Sequence, residues 1–426
     1  MPKSFQESNQ VRYVHIDENR CNGCVLCMKA CPTKAIRVEN GEIARIIGDC
    51  INCGECIRVC PRGAARSITS TSEILDEEKF TIVSASSVIY SQFGENVMPN
   101  DILLGMRKLG FRYVHDQSYT SEIFSLALDL FIKDLREKKD AEANFPLISP
   151  VCPVVVYLIA NRFPALLEHI PPLITPREIV AREAKKRLSK REGKKEEEIK
   201  VLHITPCPAK TISIKEPILQ DHSYLDEAIG ICDIYEPLRK SILEVDQDSV
   251  LHHSGGLGLA WGMSGGEIAG LETECLAVSG LHETIRYLEK IELGLLSDID
   301  YVEFRICTEG CLGGPFNVAD KYQAKHHLQR LIRMFGTERR VKKDYVKKLY
   351  EERWFFAEKK GPAEIRGKSA FTLSQRIERE AEVERILQTL PRKECGICGS
   401  PDCRTFAQDI VDGIATLEKC IFLEHD

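Results

Sequence analysis

The chain has 426 residues, with 58 Lys and Arg against 64 Asp and Glu and a formal net charge of −6. That length accommodates two or three domains and at least one large core. The acidic balance argues against a nucleic-acid partner, and no apolar run reaches the ~20 residues of a membrane span. Residues 1–10 are polar and lack the apolar segment of a secretory signal, so a soluble, cytoplasmic protein without a membrane partner is expected. Eighteen cysteines in such a chain point to metal or redox ligands rather than disulfides.

Residues 1–75 form a cysteine-dense segment too poor in apolar residues to build a core alone. One motif occurs twice: Cys21-Asn-Gly-Cys24-Val-Leu-Cys27-Met-Lys-Ala-Cys31-Pro32 and Cys50-Ile-Asn-Cys53-Gly-Glu-Cys56-Ile-Arg-Val-Cys60-Pro61. This resembles the bacterial two-cluster ferredoxin pattern, in which three thiolates of a run hold one 4Fe-4S cubane and the fourth ligates the other. The resemblance implies Cys21, Cys24, Cys27 and Cys60 for one cluster, and Cys31, Cys50, Cys53 and Cys56 for the second. Zinc also binds Cys-x-x-Cys pairs, but two complete four-cysteine runs with trailing prolines favour iron.

Residues 76–320 alternate short apolar runs with helix-length amphipathic segments. Strands are expected at 80–84, 145–149, 200–205, 229–235 and 300–306, and helices at 121–138, 176–189 and 281–295. That alternation predicts an α/β domain with a partly parallel sheet. Cys152 lies in Ser149-Pro-Val151-Cys152-Pro153, Cys207 in Thr205-Pro-Cys207-Pro-Ala-Lys210, and Cys307 and Cys311 in Glu303-Phe-Arg305-Ile-Cys307-Thr-Glu-Gly-Cys311. Each cysteine context follows an expected strand, and ligands of α/β sheets gather at the carboxyl ends of strands. Cys232 and Cys275 lack partner spacing and read as buried inert thiols. His203 reads as a core histidine; His252 and His253 fit either a pocket wall or a loop.

Residues 321–390 read as charged helices, at 326–335, 341–353 and 374–390, linking domains or offering a docking surface. Residues 391–426 carry Cys395-Gly-Ile-Cys398-Gly-Ser-Pro-Asp-Cys403 and then Cys420. They resemble the small 4Fe-4S domain of corrinoid iron–sulfur proteins and electron-transport subunits. Four cysteines suffice for one cubane, and an all-thiolate zinc site is the rival.

The middle motifs, together with the glycine-rich stretch 254–266, resemble the catalytic domain of FeFe hydrogenases. That family's signatures are T-S-C-C-P, P-C-x-x-K and E-x-M-x-C-x-x-x-C. The resemblance implies an α/β hydrogenase-like core flanked by the ferredoxin-like domain and a small helical C-terminal 4Fe-4S module. It also implies an H-cluster: Cys152, Cys207, Cys307 and Cys311 would hold a cubane. Cys311 would bridge to a two-iron unit bearing carbon monoxide, cyanide and a dithiolate, and Lys210 would hold a cyanide ligand.

The departures shape the expected function. Val151 stands where turnover enzymes carry a proton-passing cysteine, and valine has no exchangeable proton. Thr205 and Arg305 replace two family methionines. The helix around 126–128 lacks the acidic residue next on the proton path, with Asp129 nearby. This combination resembles the sensory, PAS-lacking branch. It implies slow, reversible interaction with H2 and protons, and a ferredoxin-like redox partner or a signalling kinase or phosphatase. The alternatives are an active ferredoxin-linked hydrogenase, or an assembly or electron-transfer protein without the two-iron unit.

Overall fold

The computed structural model describes residues 13–39, 41–67, 69, 80–137, 144–357 and 372–423. The polar first ten residues, the expected boundary at 75–76 and residues 358–371 of the expected linker lie outside the described residues. The chain divides into two compact units, one of Met1–Ile68 with Gly367–Asp426 and one of Thr69–Arg366.

The first unit begins with β1 (Val14–Ile16), α1 (Leu26–Ala30), β2 (Ile36–Glu39), β3 (Ile43–Ile46), α2 (Glu55–Val59) and β4 (Ala65–Ser67). Two antiparallel pairs, β1 with β4 and β2 with β3, frame it. The doubled motif folds into doubled geometry. Each helix follows a left-handed residue, Val25 at φ 60° and Gly54 at φ 78°. Each fourth cysteine then accepts an amide four residues on, Ala35 N to Cys31 Sγ and Ala64 N to Cys60 Sγ, both 3.2 Å. The proline after each of these cysteines has no N–H to give, so the donor comes from further along the chain. The core here is small, mainly Val14, Met28, Ala35, Ile36, Ala44 and Ala65 among cysteines.

The C-terminal segment packs into the same unit. Its helices Leu373–Thr389 and Cys403–Val411 enclose Val383, Ile386, Leu390 and Phe406 beside Cys420. Arg37 grips Asp409 with both prongs, Nε to Oδ2 at 2.6 Å and Nη2 to Oδ1 at 2.8 Å. The two side chains are only 12% and 4% exposed. Val38 N donates to Gly399 O at 2.9 Å. A Cβ on Gly399, which sits at φ +87°, would fall 2.3 Å from Val38 O, so this approach requires glycine.

The second unit runs β5 (Phe80–Ala85), α3 (Pro99–Lys108), β6 (Tyr113–His115), α4 (Gln117–Glu137), β7 (Leu147–Ile148), α5 (Pro153–Arg162) and α6 (Pro176–Glu192). It continues through β8 (Ile199–Thr205), α7 (Pro208–Lys215), β9 (Glu227–Gly230), α8 (Ile231–Ile242) and α9 (Gly256–Ala260). It closes with β10 (Cys275–Ser279), α10 (Leu281–Glu292), β11 (Tyr301–Arg305), α11 (Lys321–Phe335) and α12 (Lys343–Glu351). Two parallel sheets form, ordered β6-β5-β8-β9 and β10-β11-β7. Parallel strands are buried on both faces; in β8 every residue but Lys200 is buried.

Three expectations differ from the structure. The strand expected at 229–235 stops at Gly230 and the chain continues as α8. Ile231, Ile234, Leu238 and Ile242 are its buried residues, a helical spacing that a short apolar window hides. β6 and β10 were not foreseen; both are short and only part-buried, so their apolar signal is weak. Helices α11 and α12, within the stretch read as a linker, join the second unit's cores. Ala324, Leu328 and Leu331 pack with Val83, Leu202 and Leu259, and Val346 packs with Phe124. Their charge belongs to the outer face of amphipathic helices. Among the described residues no helix is long and apolar enough to cross a membrane.

Candidate functional site

In the first unit the motif cysteines line three small hollows. Cys21, Cys24, Cys27 and Cys60 surround one, and Cys31, Cys50, Cys53 and Cys56 another. Cys395, Cys398, Cys403 and Cys420 surround a third. Burial, with the neighbouring thiols Cys21, Cys24 and Cys60, pushes Cys27 up to about 11. Cys53 is raised by burial and by Cys56, Cys31 and Cys50. Cys60 thus stands with the cysteines of the first repeat and Cys31 with those of the second. Amides also reach the sulfurs of Cys21, Cys50 and Cys403, from Ala44, Asn52 and Lys393 at 3.2–3.4 Å. Such N–H···S bonds stabilise a thiolate and tune a bound cluster. Among the described residues no set of three or more His, Cys, Asp or Glu closes on a single ion. The thiols instead stand around hollows.

In the second unit, three loops at the carboxyl ends of parallel strands bring the middle cysteines together. β7 leads into Cys152, β8 into Cys207, and β11 into Cys307 and Cys311. Cys152 and Cys207 occupy equivalent places, each capping a helix whose first residue is proline. Both thiols are raised by burial, each also feels Cys311, and Cys207 feels Cys152. Cys307 is buried on the loop that carries Cys311. The glycines of that loop permit the convergence. A Cβ on Gly310 would lie 2.5 Å from Ser264 N, and one on Gly314 2.4 Å from Pro206 O.

Lys210, on the first turn of α7, is 6% exposed and pulls the Cys207 thiol down against its burial. Burial, then Lys210 and Arg177, push His203 well below its usual range, so these basic groups lie close together with His203 neutral. Arg177 Nη1 and Thr211 Oγ1 are buried without a hydrogen-bond partner. A cleft of about 470 Å³ runs beside the Cys152 loop, lined by Pro150, Pro153, Thr175, Arg177 and Ser213. Orphaned donors and a buried ammonium beside thiols suit a group with anionic ligands, so the residues present fit the H-cluster.

Val151 packs against the core around Phe124, and its amide donates to Ser149 Oγ at 3.2 Å. Asp129 is 5% exposed, accepts from Glu272 N and pairs with Lys133, so its carboxylate serves the fold. His252 lies 3.0 Å from Asp116 and contacts the rings of Tyr90 and Phe335, a core position; His253 is exposed. Cys232 and Cys275, expected as buried thiols, are exposed and part-buried. Sequence reading missed Arg177 and a buried network of Ser149, Glu267, Tyr301, Glu303 and Arg305. Glu303 and Arg305 inside an otherwise apolar strand were the available signal, because such residues are seldom fully buried without partners.

Residues 79–269 match the family described as iron only hydrogenase large subunit, C-terminal domain. Residues 13–61 match a 4Fe-4S dicluster domain, and residues 390–422 a domain described as a putative Fe-S cluster. The NADP-reducing hydrogenase subunit HndD of Solidesulfovibrio fructosivorans is 24% identical over 56% of this chain, which spans 45% of that subunit's length. The periplasmic [Fe] hydrogenase large subunit of Nitratidesulfovibrio vulgaris is 26% identical over 66% of this chain and 72% of its own. A solved variant of [FeFe]-hydrogenase HydA1 from Chlamydomonas reinhardtii shares the fold, with a TM-score of 0.52 at 16% identity over 65% of this chain and 90% of that one.

Proposed function

For a chain that is FeFe-hydrogenase-like, with a 4Fe-4S dicluster domain at one end and a small iron–sulfur domain near the other, we propose a cytoplasmic hydrogen-responsive protein of low turnover. In this reading Cys152, Cys207, Cys307 and Cys311 would hold the cubane of an H-cluster, Cys311 would also serve its two-iron unit, and Lys210 would offer its ammonium to a cyanide ligand. The two-iron unit supplies, when bound, the centre at which H2 is formed or split. The observation that carries the reading is the convergence of three thiol-bearing loops, with buried Lys210 beside Cys207 and valine at position 151. Every ligand type is present, while no titratable side chain stands at 151 to exchange protons.

The twelve cysteines of the first unit hold three further 4Fe-4S clusters in this reading. The C-terminal site packs on the ferredoxin-like site through Arg37–Asp409 and Val38–Gly399, which supports a relay for electrons or redox state. The partner is then a ferredoxin-type carrier or a signalling protein such as a kinase or phosphatase.

The test is an infrared spectrum after loading the full chain with a synthetic two-iron precursor. Sharp carbon monoxide and cyanide bands that shift under H2 are expected. Their absence, with the cubanes present by iron analysis, would leave an assembly or electron-transfer protein. Val151→Cys then separates sensor from enzyme: a large gain in proton reduction marks a missing proton relay, and no gain marks a working hydrogenase with another route.

A further inference from the structure

Behind the core thiols lies a charge cluster that the relay and the ligand set leave unused. Arg305 ends β11, two residues before Cys307, and its side chain is 2% exposed. Its Nη2 donates to Glu267 Oε2 at 2.6 Å, and its Nε lies 3.5 Å from Glu303 Oε1. Both carboxylates are fully buried. Glu267 is pinned in turn by the Tyr301 hydroxyl at 2.5 Å and by Ser149 Oγ at 2.9 Å. Glu303 accepts the amides of Gly265 and Glu267 at 3.2 and 3.1 Å. The guanidinium is therefore held between Glu303 on β11 and Glu267 just after the glycine-rich loop, and Glu267 is held in turn by Ser149 ahead of Cys152.

A buried ion cluster is costly to assemble, and an apolar core of the same shape is often at least as stable. Here the cation stands two residues before Cys307, on the strand that leads into the Cys307–Cys311 loop, and its partner Glu267 is held by Ser149, three residues before Cys152. Arginine stays charged at any working pH, so its field is permanent.

We propose that Arg305, fixed by Glu267 and Glu303, sets the redox potential of the cluster held by Cys152, Cys207, Cys307 and Cys311, shifting it upward. Reduction adds one electron to a buried cluster, and a fixed neighbouring cation stabilises that added negative charge. Arg305 is a positioning residue in this scheme: it acts on the cluster's charge and transfers no proton. The inference rests on the proposed function in one respect, that the four thiols hold a cubane.

The experiment is a redox titration of the full chain followed by EPR of the core cubane, repeated by infrared on the loaded protein. R305M/E267Q removes both members of the main pair and leaves Glu303 as the one buried carboxyl, which burial already raises and which can take up a proton once Arg305 is gone; its midpoint is expected to move to more negative potential. R305K is expected to stay near the starting value, and E267Q, which frees the cation of a counter-charge, to move positive. A core cubane whose midpoint is the same in R305M/E267Q and E267Q as in the unmodified chain would overturn the proposal and leave Arg305 a structural strut. Should the double variant fail to fold, E267Q alone decides. Absence of infrared bands in the unmodified protein would count against the H-cluster only, because the cubane potential is read without the two-iron unit.

Discussion

The two units place four-cysteine sites by opposite routes. In the ferredoxin-like part of the first, each cysteine run is a tight loop written in eleven consecutive residues, and the chain around it contributes little more than short strands and one-turn helices. The thiols are the core of the fold as much as its cargo. In the second, the ligands are separated by 55, 100 and 4 positions (Cys152, Cys207, Cys307, Cys311), and two parallel sheets bring them together at strand ends. A site of the first kind depends on its metal for stability; one of the second kind stands on a large apolar core and can spend side chains on electrostatics. Arg305, Glu267, Glu303, Lys210 and Arg177 have no buried counterparts around the first unit's two ferredoxin-like cavities among the described residues.

The sharpest way to break the comparison is Cys311→Ser. Loss of the core cubane and of every hydrogen-dependent infrared response is expected, while the second unit stays folded by circular dichroism and the first unit keeps its iron. Unfolding of the second unit would show that its core depends on metal after all. Next in size is Arg37→Glu, which leaves Asp409 buried without its partner and sets a like charge beside it. A loss of about 4 kcal/mol is expected for the packing of the C-terminal segment, read as early proteolysis after residue 372 and a lowered melting transition. The swapped pair R37E/D409R should recover part of it, and an unchanged melting curve would show the two ends to be independent.

A smaller effect follows from Glu303. Burial pushes it up to about 7 from 4.5, with Arg305 opposing and Glu267 adding to the rise. A carboxyl whose folded value is raised binds its proton more tightly in the native state. Its contribution is full below about 4.5 and is lost as pH rises through about 7. Stability of the second unit should therefore fall across that window, and Glu303→Gln should flatten the profile when melting temperature is followed against pH. The smallest effect concerns Val25. A β-branched residue at φ 60° is strained, and the matching position of the other repeat is Gly54. Val25→Gly should stabilise the first unit by up to about 1 kcal/mol, the relief of strain exceeding the added chain entropy; a lower melting temperature would show that the Val25 side chain contributes packing instead.

Local chemistry was legible from the residues alone. The doubled motif, its trailing prolines and the strand-then-cysteine contexts are short-range patterns, and each dictates its own loop whatever surrounds it. The helix at 281–295 was readable for the same reason, since amphipathic spacing is a property of the segment. What failed was what depends on distant neighbours. Residues 229–235 read as a strand because a short apolar run has no period of its own, and only packing on α3 and β9 decides for helix. Helices α11 and α12 read as a linker because half of each is charged, and the sequence does not say that the other half meets Val83 or Phe124.

The amino-acid sequence by itself determined where chemistry can sit in this protein: sixteen thiols in iron–sulfur patterns, Lys210 three residues after one of them, and Val151, with no exchangeable side-chain proton, beside another. Tertiary structure alone decided which charges face those thiols and which parts share a body. Residues 37 and 409 are joined by a buried ion pair across 372 positions, and Arg305 meets Glu267 across 38. Such pairings are set by how sheets and helices stack, through burial summed over the whole chain, and no local window of sequence contains that sum.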